Sequence, residues 1–459
     1  MSKTFDAIII GAGQAGPSLA VRLSKAGQQV AVCERSLFGG TCVNTGCIPT
    51  KAMVASAHAA HMARRANDFG VEIEGQVRVN LKAVKARKDV ISGKSRDGVE
   101  RMLRELKGCT VFHQPARFVS TRELQVADES ISADRIFINV GGRAAVPEMS
   151  GINSVPYLTN SSILALEELP HHLVVVGGSY VGLEFAQMFR RFGSDVSIVE
   201  KGPRLIQHED EDVSNAVKEI LESEGIHIRL GAECIAFEQT SEGIAVRVTC
   251  DNGEPKLLGS HVLLAVGRKP NTDDLGLHAA GVNTDKNGYI LVDDQLRTNV
   301  PGIWALGDCN GRGAFTHTSY NDFEIVAANL LDNDPRRVSD RIQAHALYID
   351  PPLGQIGLTE AEVRLTGKPA LIGTRPMTKV GRAVEKGETK GFIKVLVDAE
   401  SKKILGASIL GTGGDEAIHC ILDIMYSGKP YTTLQRAVHI HPTVSELIPT
   451  VLGDLRPLV

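Results

Sequence analysis

Two cysteines, Cys42 and Cys47, stand close together in a segment rich in glycine and threonine. On an ideal helix their Cα atoms would lie about 8.7 Å apart, which exceeds the roughly 7 Å that a disulfide can span. Either the segment departs from a regular helix or no bond forms, and Gly46 permits such a departure. A strained disulfide at the start of a helix would be reducible, since the helix dipole favours the thiolate.

Three interpretations of this pair are open. The cysteines are buried free thiols, or they join His58 and His61 in a zinc site, or they form a redox dithiol beside a flavin. The two histidines fall on a long helical stretch, which structural zinc loops rarely contain. We favour the redox dithiol, because it alone makes use of the dinucleotide site that adjoins it.

That dinucleotide site is indicated by a glycine pattern near the start of the chain. An apolar run over residues 7–10 predicts a buried parallel strand, and Gly11, Gly13 and Gly16 follow it in the order G-x-G-x-x-G. A helical stretch, a second strand and Glu34 come next. The glycines let the backbone approach a pyrophosphate, the helix N-terminus supplies free N–H groups, and the acid accepts hydrogen bonds from a ribose.

The same pattern occurs a second time. Residues 173–176 form an apolar run that leads into Gly177, Ser179 and Gly182, and the interval from Gly177 to Glu200 equals that from Gly11 to Glu34. Ser179 replaces the middle glycine, which requires that its φ stay negative. Two copies with strand, helix and acid in register predict two dinucleotides, one in each of two domains.

Length and composition exclude several other classes of protein. The 459 residues allow roughly two to four domains. A formal charge of −4 argues against a nucleic-acid-binding protein, and 43% hydrophobic against 23% charged residues argues against disorder. Apolar runs are too short for a membrane span or a signal peptide, and eight cysteines are too few for a disulfide scaffold. We expect a cytoplasmic protein with no membrane or nucleic-acid partner.

Longer motifs then indicate a family. The segment 39–51, G-G-T-C-V-N-T-G-C-I-P-T-K, resembles the active-site motif of the FAD-dependent pyridine nucleotide–disulfide oxidoreductases. Segments 265–271, 298–308 and 439–446 are similar to further motifs of that family, in the family's order. The resemblance extends over essentially the whole chain. The family includes dihydrolipoamide dehydrogenase, glutathione reductase and mercuric reductase.

The resemblance implies an α/β fold with two Rossmann-like dinucleotide-binding domains and a C-terminal α+β dimerisation domain. We expect the FAD-binding domain at 1–145 and 270–335, the NAD(P)-binding domain at 146–269 and the dimerisation domain at 336–459. It also implies a homodimer whose active sites are shared between the subunits. No metal site is expected.

The resemblance assigns roles to individual residues. Cys42 would be the thiol that attacks the acceptor and Cys47 the thiolate against the flavin, with Lys51 and Glu184 as an ion pair near the flavin and His441, held by Glu446, as the acid–base residue. The residues expected to bind FAD are Gly11, Gly13, Ala15, Gly16, Glu34, Arg35, Gly40, Thr41, Lys51, Gly141 and Asp308. Those expected to bind NAD(P) are Gly177, Ser179, Tyr180, Gly182, Glu200, Lys201 and Gly267.

The implied reaction passes electrons from NAD(P)H through FAD to a Cys42–Cys47 disulfide and on to a small acceptor such as a lipoamide-type disulfide. Glu200 favours NADH, while Lys201 and Arg204 leave NADPH possible. A reductase of mercuric ion, a quinone or another oxidant is an alternative, although the last cysteine, Cys420, offers no C-terminal cysteine pair. A flavin redox sensor without turnover is an alternative of another class.

Overall fold

The computed structural model describes residues 3–249 and 255–458 of the chain. Within these ranges the strands form five sheets. None of the helices there combines the length and apolarity that crossing a bilayer requires.

The first sheet begins with the strand predicted before the first glycine turn. Its strands are β1 Lys3–Ile10, β2 Val30–Cys33, β3 Cys109–Phe112, β4 Ala116–Phe118, β5 Glu123–Val126 and β6 Glu129–Ile138. Strands β3, β2, β1 and β6 pair in parallel in that order, and Ile8 and Ile9 of β1 are fully buried. The helices of this part are α1 Ala15–Lys25, α2 Gly40–Asn44, α3 Cys47–Arg64 and α4 Leu81–Glu105.

A second parallel sheet repeats the strand–turn–helix–strand arrangement. After β7 Gly142–Ala144, its elements are β8 His172–Val176, α5 Tyr180–Phe192, β9 Asp195–Val199, α6 Glu211–Ser223 and β10 His227–Arg229. Three antiparallel strands follow, namely β11 Glu233–Thr240, β12 Gly243–Thr249 and β13 Lys256–Gly259. The next strand, β14 His261–Leu264, returns to the second parallel sheet. Its strands pair in parallel in the order β10–β9–β8–β14, as expected for a second dinucleotide-binding domain.

The chain then returns to the first sheet. Strand β15 Arg268–Pro270 pairs with β7, and α7 Leu277–Ala280, β16 Ile303–Ala305 and α8 Thr316–Ala327 follow. Strand β16 pairs in parallel with β6, and the rings of Trp304 and Phe137 stack with centroids 5.0 Å apart. The first sheet is therefore built from two separate stretches of sequence, although the residue boundaries of the domains stay predictions.

The last part of the chain is an antiparallel sheet with short helices. Its strands are β17 Ala344–Leu347, β18 Leu353–Gly357, β19 Ala370–Pro376, β20 Phe392–Asp398, β21 Ile404–Leu410 and β22 Arg456–Pro457. Its helices are α9 Glu360–Leu365, α10 Gly381–Glu385, α11 Gly414–Ala417, α12 His419–Tyr426, α13 Thr432–Gln435 and α14 Ile448–Gly453. Buried Ile393 and Val395 place the centre of β20 in its core.

A buried lysine joins this sheet to the second parallel unit. Lys394 of β20 is fully buried, and its Nζ lies 2.7 Å from Oδ2 of Asp210 and 2.7 Å from Oδ1 of Asp212. A charge taken out of water is tolerated only when it is paired, and removing one partner strands the other. These contacts fix the start of α6 against the C-terminal sheet.

Replacing Lys394 should therefore destabilise the protein. We expect Lys394→Ala to lower the free energy of unfolding by about 3–5 kcal/mol, because the carboxylate of Asp210 stays buried without its cation. Urea unfolding followed by fluorescence measures the change. The control is Lys3→Ala, which breaks an exposed pair with Glu129 and should leave the unfolding midpoint in place. Equal midpoints for both variants would contradict a structural role for Lys394.

Candidate functional site

The two redox cysteines lie on different helices. Helix α2 contains Cys42 and ends at Asn44, and α3 begins at Cys47, so the segment between them is not regular helix. A Cβ on Gly46 would lie 2.9 Å from the carbonyl oxygen of Thr41, so this close approach favours glycine. Both cysteines are free thiols here, with Cys42 half-buried and Cys47 exposed. The segment therefore departs from a regular helix, one of the two outcomes that the spacing left open, and the two sulfur atoms are not bonded to each other.

The thiol of Cys47 is the one that ionises. A hydrogen bond from Cys42 lowers the pKa of Cys47 to about 6, and the hydroxyl of Thr316 and the charge of Lys51 act in the same direction, against the effect of burial. The Sγ of Cys47 lies 3.1 Å from Oγ1 of Thr316. The pKa of Cys42 is raised, because it keeps the proton that it shares with Cys47 and because it is buried. At neutral pH the pair holds one thiolate, at Cys47, and one thiol.

The predicted ion pair between Lys51 and Glu184 is formed. The Nζ of Lys51 lies 2.6 Å from Oε2 of Glu184, whose other oxygen accepts a hydrogen bond of 3.0 Å from the backbone N–H of Tyr348. Lys51 lies one turn after Cys47 on α3, and Glu184 lies one turn after Tyr180 on α5. The ion pair thus holds the thiol-bearing face of α3 against the start of α5.

A second set of contacts also joins the start of α3, where Cys47 lies, to the start of α5. Phe315 directly precedes α8, and its ring packs edge-on against that of Tyr180 with centroids 6.3 Å apart. The next residue, Thr316, contacts the thiol of Cys47. Tyr180 follows the second glycine turn directly, so these contacts place that turn beside the redox thiols.

The first glycine turn has the groups that a dinucleotide requires. Gly11 has a φ of 101°, and a Cβ there would lie 2.3 Å from the carbonyl oxygen of Asn139. The N-cap residue of α1, Gln14, forms no side-chain cap, which leaves N–H groups of the first turn other than that of Gly16 for a pyrophosphate. The buried carboxylate of Glu34 accepts hydrogen bonds of 2.8 Å from the backbone N–H groups of Ala12 and Ser36. This donor set fits the adenosine and pyrophosphate portions of FAD.

Helix α2 packs directly on the first glycine turn. A Cβ on Gly40, which begins α2, would lie 2.9 Å from the Cα of Gly13. Helix α2 also carries Cys42, so the first turn and the cysteine pair are adjacent. The other residues predicted for the first site are placed around them, with Ala15 and Gly16 in α1, Arg35 after β2 in an ion pair with Asp274, Thr41 in α2 and Gly141 before β7.

Asp308 follows β16, the strand that pairs with β6 of the first sheet. It lines a cavity of about 580 Å³ together with Arg268, Tyr289 and Arg312. The Nη2 of Arg268 lies 3.3 Å from Oδ2 of Asp308, while burial of the carboxyl group raises the pKa of Asp308. The sequence motifs contained Arg268 but did not indicate that it pairs with Asp308.

Two residues that sequence reasoning missed hold the first site together. The side chain of Asn139 accepts a hydrogen bond of 3.0 Å from the N–H of Gly16 and donates one of 3.0 Å to the carbonyl of Leu306. The buried carboxylate of Asp322 accepts one of 2.8 Å from the N–H of Gly307. A polar residue directly after the apolar strand β6 was the available signal for Asn139, because ligands gather at the carboxyl ends of parallel strands.

The second glycine turn repeats the geometry of the first. Gly177 has a φ of 113°, and Ser179 has the negative φ that its side chain requires, −101°. The carboxylate of Glu200 accepts hydrogen bonds of 2.6 Å from the N–H of Gly178 and 2.7 Å from that of Gly202. No side chain caps α5. The other residues predicted for this site are Gly182 in α5, Lys201 after β9 and Gly267 before β15.

The predicted acid–base pair forms, but it lies apart from the thiols. The Nδ1 of His441 lies 2.9 Å from Oε2 of Glu446, and 81% of the His441 side chain is exposed. Val438 and Ile440 beside it are also exposed. In the described part of the chain the His441 ring forms hydrogen bonds with Glu446 and with neither redox cysteine.

The structure also bears on the zinc alternative. The Nδ1 of His58 lies 2.7 Å from Oδ2 of Asp350, so its ring is engaged away from the cysteines. Among residues 3–249 and 255–458, no group of three or more His, Cys, Asp or Glu side chains is arranged to hold a metal ion.

Comparisons with known proteins identify the family of this chain. The family described as pyridine nucleotide-disulphide oxidoreductase matches residues 5–322, and its dimerisation domain matches residues 343–452. The chain is 34% identical to the probable pyridine nucleotide-disulfide oxidoreductase RclA of Escherichia coli (strain K12), over 99% of both chains. It is 31% identical to the mercuric reductase of Streptomyces lividans, over 97% of this chain and 94% of the relative. It is also 31% identical to the dihydrolipoyl dehydrogenase of Thermus scotoductus, over 97% and 96%.

A solved structure shows the same architecture. The Cu(II) complex of the HOCl-induced flavoprotein disulfide reductase RclA from Escherichia coli aligns with a TM-score of 0.90, at 32% identity over 99% of both chains.

The chain belongs to the FAD-dependent pyridine nucleotide–disulfide oxidoreductase family. It is a flavoprotein oxidoreductase with two Rossmann-like domains and a C-terminal dimerisation domain. The family and the fold class predicted from the sequence are thereby confirmed.

The hydroxyl of Thr316 should be visible in the titration of Cys47. We expect the rate of Cys47 alkylation in the reduced protein to rise with pH through a midpoint near 6, because only the thiolate reacts. Thr316→Val removes a hydrogen bond to the thiolate and should move the midpoint to higher pH. Mass spectrometry of the alkylated peptide measures the rate. Thr316→Ser keeps the hydroxyl and should keep the midpoint, and an unshifted midpoint in Thr316→Val would contradict the assignment.

Proposed function

We propose that this protein is an NAD(P)H-dependent reductase that passes electrons through FAD to the Cys42–Cys47 pair and on to a small acceptor, with a lipoamide-type disulfide as the first candidate. The observation that carries the proposal is the lowered pKa of Cys47. Its helix α3 is joined to α5 by the Lys51–Glu184 ion pair, and the preceding helix α2 packs on the first glycine turn. Disulfide exchange requires a thiolate as the attacking group and a neighbouring thiol with which it can form a disulfide. The Cys47 thiolate and the Cys42 thiol form such a pair.

A bound FAD would take a hydride from the nicotinamide and would pass the electron pair to the Cys42–Cys47 disulfide. The glycine turns and their acids, Glu34 and Glu200, hold the two dinucleotides. The Cys42 thiol gives its proton to a base and the resulting thiolate attacks one sulfur of the acceptor disulfide. The acceptor's S–S bond breaks, and the acceptor thiolate that leaves takes a proton from the same acid–base group. Cys47 then attacks Cys42, which releases the second acceptor thiolate. The sum is NAD(P)H + H⁺ + RSSR → NAD(P)⁺ + 2 RSH.

The leaving thiolates need a proton donor, and we assign this role to His441 with Glu446 as its orienting carboxylate. An imidazole held by a carboxylate donates and accepts protons near neutral pH. The exposed ring, with exposed Val438 and Ile440 beside it, supports a site that a second subunit completes. The matched dimerisation domain, residues 343–452, contains all four of these residues.

A mixture of two inactive variants tests the shared site. Cys42→Ser lacks the attacking thiol and His441→Gln lacks the proton donor, so each homodimer should be inactive. If the partner supplies His441, random heterodimers contain one intact site, and reassociated mixtures should recover about a quarter of the unaltered activity. Disulfide-dependent NADH oxidation measures the recovery. A mixture of Cys42→Ser with Cys47→Ser is the control and should stay inactive. No recovery in the first mixture would contradict sharing between subunits.

We further propose NADH as the preferred nucleotide. The carboxylate of Glu200 is held at the end of β9 by the N–H groups of Gly178 and Gly202, where it would accept the adenosine 2′-hydroxyl and repel a 2′-phosphate. Lys201 and Arg204 follow nearby and offset part of this repulsion.

Reversing the charge at this position should change the nucleotide preference. We expect Glu200→Arg to raise the ratio of kcat/KM for NADPH to that for NADH by about tenfold or more. Steady-state kinetics with both nucleotides measures the ratio. Glu219→Arg makes the same change of charge on an exposed position of α6 and should leave the ratio in place. An unchanged ratio in Glu200→Arg would show that the 2′ position is recognised elsewhere.

A soft metal ion is the second candidate acceptor. One relative is named a mercuric reductase, and the RclA structure is described as a Cu(II) complex. A thiolate beside a thiol is a suitable ligand pair for such ions.

A panel of acceptors distinguishes these possibilities. We expect lipoamide to stimulate NADH oxidation, with glutathione disulfide, Hg²⁺, Cu²⁺ and a quinone measured beside it. Reduction of a disulfide or metal ion should be lost in Cys42→Ser, whereas reduction of a quinone directly at the flavin should persist. If no acceptor stimulates oxidation, a redox sensor replaces the proposed enzyme.

A further inference from the structure

The ring of Tyr348 packs against the ammonium group of Lys51. Tyr348 directly follows β17 of the C-terminal sheet, and the Nζ of Lys51 lies 4.4 Å from the centroid of its ring. The face of an aromatic ring attracts a cation at this distance. Nothing in the sequence pattern indicated that these two residues meet, since they belong to distant parts of the chain.

The backbone of Tyr348 holds the other member of the ion pair. Its N–H donates a hydrogen bond of 3.0 Å to Oε1 of Glu184, while Oε2 of the same carboxylate lies 2.6 Å from the Nζ of Lys51. One residue therefore contacts both partners, the anion through its main chain and the cation through its ring. A substitution of the Tyr348 side chain removes only the second contact.

The segment that contains Tyr348 is fixed on both sides. Leu347 before it is fully buried, and the N–H of Asp350 after it donates a hydrogen bond of 2.7 Å to Oε1 of Gln187 on α5. The carboxylate of Asp350 also pairs with the buried guanidinium group of Arg191 on α5. We therefore expect the backbone at Tyr348 to keep its place when the ring is removed.

Two further carboxylates act on the same ring. Burial raises the pKa of the Tyr348 phenol, and the negative charges of Asp415 and Glu416 at the start of α11 are among those that act in the same direction. In the described part of the chain, Lys51 forms an ion pair with Glu184 and with neither of these two carboxylates. A lysine side chain that is free to rotate is attracted by every carboxylate within its reach.

The position of Lys51 affects the reactive thiolate. Lys51 lies one turn after Cys47 on α3, and its positive charge lowers the pKa of Cys47. The attraction between two charges weakens with distance and with hydration, so this effect depends on where the ammonium group is held.

We propose that Tyr348 is a positioning residue whose ring keeps the ammonium group of Lys51 beside Cys47. Without the ring, the ammonium group would turn towards water and towards Asp415 and Glu416. The inference deepens the proposed function and rests on it, because that function takes Cys47 as the thiolate of the redox pair.

The pH dependence of Cys47 alkylation in the reduced, FAD-loaded protein tests the proposal. We expect Tyr348→Leu to raise the midpoint by about 0.3 to 1 pH unit, because the positive charge near the thiolate becomes less fixed and more hydrated. Tyr348→Phe keeps the ring and should keep the midpoint. Mass spectrometry that locates the label on Cys47 measures the rate. Tyr426→Leu, the same change at an exposed tyrosine of α12, is the matched control and should also keep the midpoint.

Combined variants separate this role from general distortion. Lys51→Gln removes the charge and should raise the midpoint at least as far as Tyr348→Leu. Adding Tyr348→Leu to Lys51→Gln should give no further rise, because both changes act through the same ammonium group. Asp415→Asn together with Glu416→Gln should lower the midpoint more in Tyr348→Leu than in the unaltered protein, since it removes the competing partners of Lys51.

An unchanged midpoint in Tyr348→Leu would overturn the proposal, as would an equal rise in Tyr348→Phe or an additive rise in the combination with Lys51→Gln. Equal effects of the two acid substitutions with and without the ring would also overturn it. If Tyr348→Leu does not retain FAD, Tyr348→Met, which has an unbranched side chain, decides the result.

Reduction of the flavin by NADH tests the proposed function separately. If NADH reduces the flavin of the unaltered protein and Tyr348→Leu leaves the midpoint in place, only the positioning role of Tyr348 fails. If NADH does not reduce the flavin, the proposed function fails, whereas a raised midpoint in Tyr348→Leu would still show that the ring holds Lys51 beside Cys47.

Discussion

The proposed chemistry of this protein depends on the stabilised thiolate of Cys47. Its negative charge lies at the start of α3, near Lys51, and receives hydrogen bonds from Cys42 and Thr316. Each of these groups favours the charged form, and together they outweigh the cost of burying a charge. A thiol with an ordinary pKa would be mostly protonated at neutral pH and would react slowly. The electron path therefore requires that three separate segments of the chain meet at one sulfur atom.

The packing of the domains brings these three segments together. Helix α2 rests on the first glycine turn through the contact of Gly40 with Gly13, and the Lys51–Glu184 pair holds α3 against α5. Lys394 fixes the loop before α6 to the C-terminal sheet. A buried charge that must be paired permits few alternative arrangements, so these contacts set the positions of the domains as well as stabilising them. The position of Tyr180 between the two sites follows from this packing.

Local features of the site were predictable from the sequence. Both glycine turns and their acids Glu34 and Glu200 follow from residue types at short spacing, since backbone freedom and capping act over a few residues. Whether the segment between the cysteines is a regular helix stayed open, and Gly46 only permitted the break. The Lys51–Glu184 and His441–Glu446 pairs were expected only through resemblance to a family. Asn139 and Thr316 were missed because their partners are far away in the sequence, and Asp322 because it meets Gly307 across the segment that joins β16 to α8.

The sequence by itself thus determined which chemistry is present: a dithiol, two dinucleotide turns, and a histidine with its carboxylate. Tertiary structure alone decided which groups meet, because contacts such as Thr316 with Cys47 or Tyr348 with Lys51 depend on strand order and on how separate sheets pack. It also supplies the physical reason for a thiolate at Cys47, which the resemblance had assigned there, since a pKa depends on neighbours that the linear order does not reveal. The exposure of His441 belongs to the same class, because the exposure of a side chain depends on how distant elements pack around it.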